Sequence, residues 1–198
     1  MTQTHETLSA EHRTEDTATL FGFWMYLMSD FILFAALFAV YAVFRSNTFG
    51  GPIGSDIFKP TFVLTETIIL LSSSFVCGIS ILAARAGSVH ATILSLIATI
   101  ALGASFVGLE YSEFARLISQ GSGPSRSGFL SAYFTLVGSH GLHVTLGLFW
   151  ALALIIAIAR YKLTRSNMRK LVLFNIFWHF LDIIWVFIFS IVYLLGII

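Results

Sequence analysis

An apolar run from Leu171 to Ile198 carries Trp178-His179-Phe180-Leu181-Asp182-Ile183-Ile184-Trp185 near its centre. A helix needs about 20 apolar residues to cross a bilayer, so this run is long enough to span one. His179 and Asp182 are three apart and share one helical face. An imidazole and a carboxyl are expensive among lipid tails, so that face is expected to look into protein or a polar cavity. A buried structural hydrogen bond is the simplest role for such a pair. The rest of the chain repeats the problem, because four further runs also hold ionisable residues.

Only 11% of the 198 residues are charged and 57% are hydrophobic, with mean hydropathy +0.89. A soluble domain carries about 25% charged residues, so the composition points to an all-α, polytopic membrane protein. A formal net charge of +1 gives no electrostatic bias toward nucleic acid. The single cysteine, Cys77, lies in an apolar run, which excludes an intrachain disulfide and any Cys-based metal spacing.

Residues 1–20 read as a mobile polar tail, with Glu6, Glu11, Glu15 and Asp16 set against Arg13 and with none of the parts of a signal peptide. Residues 21–198 read as one domain of five transmembrane helices. The first span, about Phe21 to Phe44, has Trp24 and Tyr26 near its start and Asp30 deeper. A turn-rich connector from Arg45 to Pro60 holds Gly50, Gly51, Pro52 and Gly54. The second span, about Thr61 to Ala84, carries Glu66 and Ser72-Ser73-Ser74. The third, about Ala91 to Leu117, ends in Glu110-Tyr111-Ser112-Glu113-Phe114, with Glu110 and Glu113 on one face.

After a Ser/Gly-rich loop, the fourth span runs from about Phe129 to Ala159 with His140-Gly141-Leu142-His143. Gly138, Gly141 and Thr145 form a small-residue stripe suited to close helix packing. A basic loop with Arg160, Lys162, Arg165, Arg169 and Lys170 leads to the fifth span at Leu171. An N-terminus inside places these with Arg13 and Arg85 on the cytoplasmic side, seven basic residues, against Arg45, Lys59, Arg116 and Arg126 outside. The positive-inside tendency therefore orients the chain N-in and C-out.

At 1.5 Å per residue, Asp30 and His179 fall roughly 12 Å in from the cytoplasmic ends of their spans, with Asp182 about a turn deeper. Glu66, Glu110 and His140 fall roughly 8 to 15 Å from the outer ends, and His143 about 20 Å down. Two polar layers follow: Asp30, His179 and Asp182 within, and Glu66, Glu110, Glu113, His140 and His143 toward the outside. Equal depth makes a contact between Asp30 and His179 the expectation. A haem bridging the fourth and fifth spans is disfavoured, because its two histidines would differ in depth by roughly 10 Å or more. A metal in the outer layer stays open, since carboxylate and imidazole are both ligands. The Glu-x-x-His pattern of bundle di-iron sites is absent. A proton-coupled transporter also stays open, although no internal repeat is visible.

Together, Phe23-Trp24-Met25-Tyr26-Leu27-Met28-Ser29-Asp30, Glu66-Thr67 with Leu70-Leu71-Ser72-Ser73, Glu110-Tyr111-Ser112-Glu113-Phe114 and Gly128-Phe129 form an ordered set. His140-Gly141-Leu142-His143-Val144-Thr145-Leu146-Gly147 and the Trp178–Trp185 stretch complete it. The set resembles subunit III of the haem-copper respiratory oxidases, in the family's order and over nearly all of Phe21 to Gly196. It looks most like the five-helix form found in bacterial ubiquinol oxidases of the cytochrome o type. Many members have two further helices at the start, which form one wall of a lipid-filled cleft, and many carry Glu where this chain has Asp30.

The resemblance implies an accessory subunit of the inner membrane, without catalytic residues and with no haem, copper or other metal of its own. Haem and copper are then expected in a partner, subunit I, against which this chain packs directly in a complex that oxidises ubiquinol, reduces O2 to water and pumps protons. Phospholipid is the expected bound molecule, and support of proton uptake and of subunit I the expected role. Asp30, Glu66, Glu110, Glu113, His140, His143, His179 and Asp182 become candidate polar supports or lipid contacts. Trp24, Trp178 and Trp185 become candidate packing or interface residues.

Overall fold

The structure, a computed structural model, describes residues 2–48, 50 and 60–197, with side chains described for 17–48, 50 and 61–196. Five long helices follow one another: α1 (Thr2–Phe44), α2 (Pro60–Arg85), α3 (Val89–Ser119), α4 (Gly128–Tyr161) and α5 (Arg165–Ile188). α5 runs on through a π-helical turn, Phe189–Leu194, and a last short turn, Leu195–Ile197. There is no strand among the described residues. All five helices are long and apolar enough to cross a membrane, over Thr17–Phe44, Thr61–Arg85, Val89–Ser119, Gly128–Tyr161 and Arg165–Leu194. The fold is therefore the five-helix, all-α membrane bundle expected from the sequence.

The helix starts differ from those of the apolar runs, by nearly two turns for α5 and by about five for α1. α5 starts at Arg165, not Leu171, because the Thr164 hydroxyl caps it by accepting from the Asn167 amide at 3.3 Å. The Asn167 side chain also donates to the Lys162 carbonyl at 2.9 Å and the Ala157 carbonyl at 3.2 Å, which fastens the α4–α5 turn. Hydropathy marks where lipid begins, whereas hydrogen bonding carries the helix a turn or more into the aqueous layer. α1 likewise extends back through the polar segment to Thr2. Most of the turn-rich connector, residues 49 and 51–59, lies outside the described residues.

The α2–α3 turn closes on Gly87, whose φ of +76° few side chains tolerate, and Ser88 then caps α3. Such short links make α2 and α3, α3 and α4, and α4 and α5 antiparallel neighbours. α1 packs on α4 and α5. α5 is the hub: half of its most apolar window is buried, against 22% for α1. It presents Phe174, Phe177, Trp178, Leu181, Ile184, Trp185 and Ile188 to the other helices. Outward-facing residues such as Phe75, Ile32 and Phe149 remain more than half exposed, which suits a chain whose solvent is lipid.

Candidate functional site

Three side chains of α5 reach hydroxyls of α2 at successive levels. Asn175 donates to Ser80 Oγ at 3.2 Å, the Trp178 indole to Ser73 Oγ at 3.0 Å, and the Trp185 indole to Thr67 Oγ1 at 3.0 Å. Each hydroxyl passes its own hydrogen to a backbone carbonyl: Ser80 to Cys77, Ser73 to Thr99 of α3, and Thr67 to Val63. Trp178 and Trp185 are seven apart, two helical turns, so both enter the bundle from one face. The indole of Trp178 lies between two glycines. A Cβ on Gly103 of α3 would lie 3.0 Å from its ring, and one on Gly147 of α4 would lie 2.8 Å from it. Trp178 thereby locks α2, α3, α4 and α5 at one level.

The small-residue stripe of the fourth span plays a different part from the one its spacing suggests. A Cβ on Gly138 would make ordinary contact with Phe114 at 3.6 Å, and one on Gly141 would meet nothing within 4 Å. Gly147, outside the expected stripe, is the close approach.

The expected contact between Asp30 and His179 does not form. Asp30 Oδ2 instead faces His143 Nε2 of α4 at 3.8 Å, beyond hydrogen-bond reach. Equal depth left the lateral arrangement undetermined, and α1 packs more on α4 than on α5. His143 Nδ1 donates to the Ser139 carbonyl at 2.7 Å, so Nδ1 carries a hydrogen and Nε2 is the atom turned to the carboxyl. Attraction between the two then requires a proton, on Nε2 or on the carboxyl. His143, placed by depth in the outer layer, thus joins Asp30.

His179 is exposed and opens on a groove of about 520 Å³ between α1, α2 and α5, lined by Trp24, Leu27, Gly78, Asn175 and Phe180. Its Nδ1 donates to the Asn175 carbonyl at 3.0 Å, and a Cβ on Gly78 would lie 3.9 Å from its Nε2. The inward face of the stretch is therefore that of the two tryptophans, with His179 on the flank. Asp182 lies half-buried near His179 and Ser74, with its Oδ1 making no hydrogen bond. Trp24 is 46% exposed, whereas Trp178 and Trp185 are buried.

His140 is fully buried, stacked on Trp185 with ring centroids 5.2 Å apart and edged by Phe34 and Phe106. Neither of its nitrogens makes a hydrogen bond. Glu66 of α2 and Glu110 and Glu113 of α3 are buried at the end of the bundle that bears the α3–α4 loop, close enough to interact electrostatically. Glu113 Oε1 accepts from Arg116 at 3.2 Å. Two buried tyrosines complete this layer, Tyr133 of α4 and Tyr193 of the π-helical turn, with hydroxyls 3.0 Å apart and both within electrostatic range of Glu110 and Glu113. Sequence reasoning missed both phenols, because Tyr counts as apolar in a hydropathy pattern. Their position at the depth of the carboxyls was the available signal. Among the described residues, no three His, Cys, Asp or Glu side chains converge to hold a metal ion.

Residues 2–197 match a family model described as Cytochrome c oxidase subunit III. The chain is 52% identical over 178 residues to Cytochrome bo(3) ubiquinol oxidase subunit 3 of Pseudomonas aeruginosa, covering 90% of this chain and 85% of that protein. It is 46% identical over 179 residues to the protein of the same name from Pseudomonas putida, covering 90% and 86%. It is 40% identical over 177 residues to Quinol oxidase subunit 3 of Bacillus subtilis, covering 89% and 87%.

Proposed function

The chain belongs to the cytochrome c oxidase subunit III family, and on that premise we propose that it is the accessory third subunit of a quinol-oxidising haem-copper complex. Its identity of 40–52% with proteins named quinol oxidase subunit 3, over about nine tenths of its length, carries this reading. It contributes no redox centre and no catalytic residue. Haem and copper belong to subunit I, which this chain contacts directly, and the complex lies in the bacterial inner membrane. The N-terminus faces the cytoplasm and the C-terminus the periplasm, a reading supported by the basic residues of the α4–α5 loop.

Within the complex the chain acts as a shaped support that holds phospholipid and sustains proton uptake by subunit I. In favour of a supporting role, several of its buried polar and aromatic side chains are engaged within the bundle. Asn175, Trp178 and Trp185 bind α2 hydroxyls, His143 and His179 bind backbone carbonyls of their own helices, and His140 is packed among aromatic rings.

Deletion of this subunit tests the reading. Purified complex lacking it is expected to keep its full haem content and its initial turnover, and to lose activity during sustained turnover faster than the intact complex. Loss of a haem band with the subunit would refute the non-redox role. Recovery of the tagged chain as a solitary protein, free of haem-bearing partners, would refute the complex.

A further inference from the structure

The outer carboxyl layer contains more polar atoms than the protein satisfies. Glu66 is 0% exposed and Glu110 4%, and none of their four carboxyl oxygens makes a hydrogen bond. They come from different helices, so the arrangement is not a chance neighbourhood along one strand of sequence. Glu66 of α2 projects into the level where α3 brings Glu110 and Glu113, α4 brings Tyr133, and the π-helical turn brings Tyr193. Buried polar atoms without partners are costly, and native structures answer them with water or an ion. Carboxyls gathered away from bulk water also need protons or counter-ions to offset their mutual repulsion. The described residues offer no three-ligand metal set, which favours water and protons over a bound cation.

The layer also has a polar exit. Glu113 accepts from Arg116 one turn further along α3, and the Arg116 side chain is 31% exposed toward the end of the bundle with the α3–α4 loop.

We propose that Glu66, Glu110 and Glu113 enclose an internal water cluster, bounded by the hydroxyls of Tyr133 and Tyr193, in which exchangeable protons are shared. The cluster communicates with the aqueous face through Glu113 and Arg116. It is a hydration and proton-holding site of this chain itself. It stands on the enclosure of these side chains and not on the subunit's role in the oxidase.

Radiolytic footprinting of the intact, membrane-extracted complex tests it, because hydroxyl radicals formed from bound water label adjacent side chains even when these are buried. Tyr133 and Tyr193 are compared with Trp178 and Phe174, which are equally buried and pack against each other at a level apart from the carboxyls. The two tyrosines are expected to be labelled several-fold faster than Trp178 and Phe174. In Glu66→Met, which removes two of the unpaired oxygens at nearly constant volume, the tyrosine labelling is expected to fall toward the Trp178 level. Tyrosines as inert as Trp178 and Phe174, all four labelled alike, or tyrosine labelling indifferent to Glu66→Met would each overturn the proposal. A stoichiometric metal found by elemental analysis of the wild-type complex and lost in Glu66→Met would overturn it in favour of a cation site.

Discussion

Gly147→Ala isolates the packing that holds α3, α4 and α5 together. The new Cβ would lie 2.8 Å from Trp178 Cζ3, 3.1 Å from its Cε3 and 3.2 Å from Phe177 Cε1. The indole cannot retreat, since a Cβ on Gly103 opposite would already lie 3.0 Å away and the indole nitrogen is tied to Ser73 at 3.0 Å. Overpacking of a rigid site of this kind costs roughly 1–3 kcal/mol. Alanine also improves the helix by about 1 kcal/mol relative to glycine, which would mask part of the loss. Gly141→Ala on the same helix shares that gain but meets nothing within 4 Å. The difference between the two variants therefore reads the clash alone, and Gly147→Ala should be the less stable by roughly 1–3 kcal/mol.

Gly128→Ala is a second control: its Cβ would lie 2.8 Å from Phe44 Cδ1, yet Phe44 is 38% exposed and free to turn. It should differ from wild type by no more than about 0.5 kcal/mol. The assay is unfolding of the reconstituted chain by a denaturing detergent, followed by loss of helicity. Combining Gly147→Ala with Trp178→Phe should recover about 0.5 kcal/mol or more of the summed losses, because the residues share one contact. Equal stability of Gly147→Ala and Gly141→Ala would refute the reasoning.

Thr67→Val leaves the buried Trp185 N–H without its acceptor and should cost about 1 kcal/mol or more in the same unfolding assay. A cycle on Asp30→Asn and His143→Gln should show a coupling of at least about 0.5 kcal/mol, whereas additivity would make the 3.8 Å separation mere adjacency. Glu66→Met should leave the unfolding free energy unchanged or raise it, since its two carboxyl oxygens make no hydrogen bond that the variant would lose. A destabilisation of several kcal/mol would show instead that the carboxyl holds helices together.

Which features were legible in the sequence follows from what each depends on. Five spans could be read because run length and Gly/Pro punctuation depend on local composition alone. The inward face of α5 was not legible: the ionisable pair His179 and Asp182 marked the face expected to be sheltered, whereas packing turns Trp178 and Trp185 inward and leaves His179 exposed. Depth was legible in part: rise per residue is nearly constant, and it set Glu66 level with Glu110, yet it assigned His143 to the outer layer, where the structure sets it beside Asp30. Lateral position was not, and Asp30 therefore meets His143 in place of His179. The rotation of each helix and the order of helices around the bundle are set by packing among all five. The same limit misdirected the glycine stripe: a small residue permits a close approach without saying whether a neighbour arrives. Gly141 receives none, whereas Gly147, outside the stripe, receives Trp178 from the neighbouring helix.

The two kinds of buried polar group in this bundle do different work. Between helices in lipid no hydrophobic force acts, so close packing on small residues and hydrogen bonds must supply the association. The ladder from Asn175, Trp178 and Trp185 to Ser80, Ser73 and Thr67 meets that need, with every donor matched to a hydroxyl and every hydroxyl to a carbonyl. The tight contacts of Trp178 with Gly103 and Gly147 lie at the middle rung of the same ladder. Glu66 and Glu110 bring the cost of burying carboxyls without any such bonds in return. A bundle already fastened along α2 and α5 has no need of them for cohesion. Their presence at a level apart from the Trp178 lock is therefore better explained by what they enclose than by what they hold together.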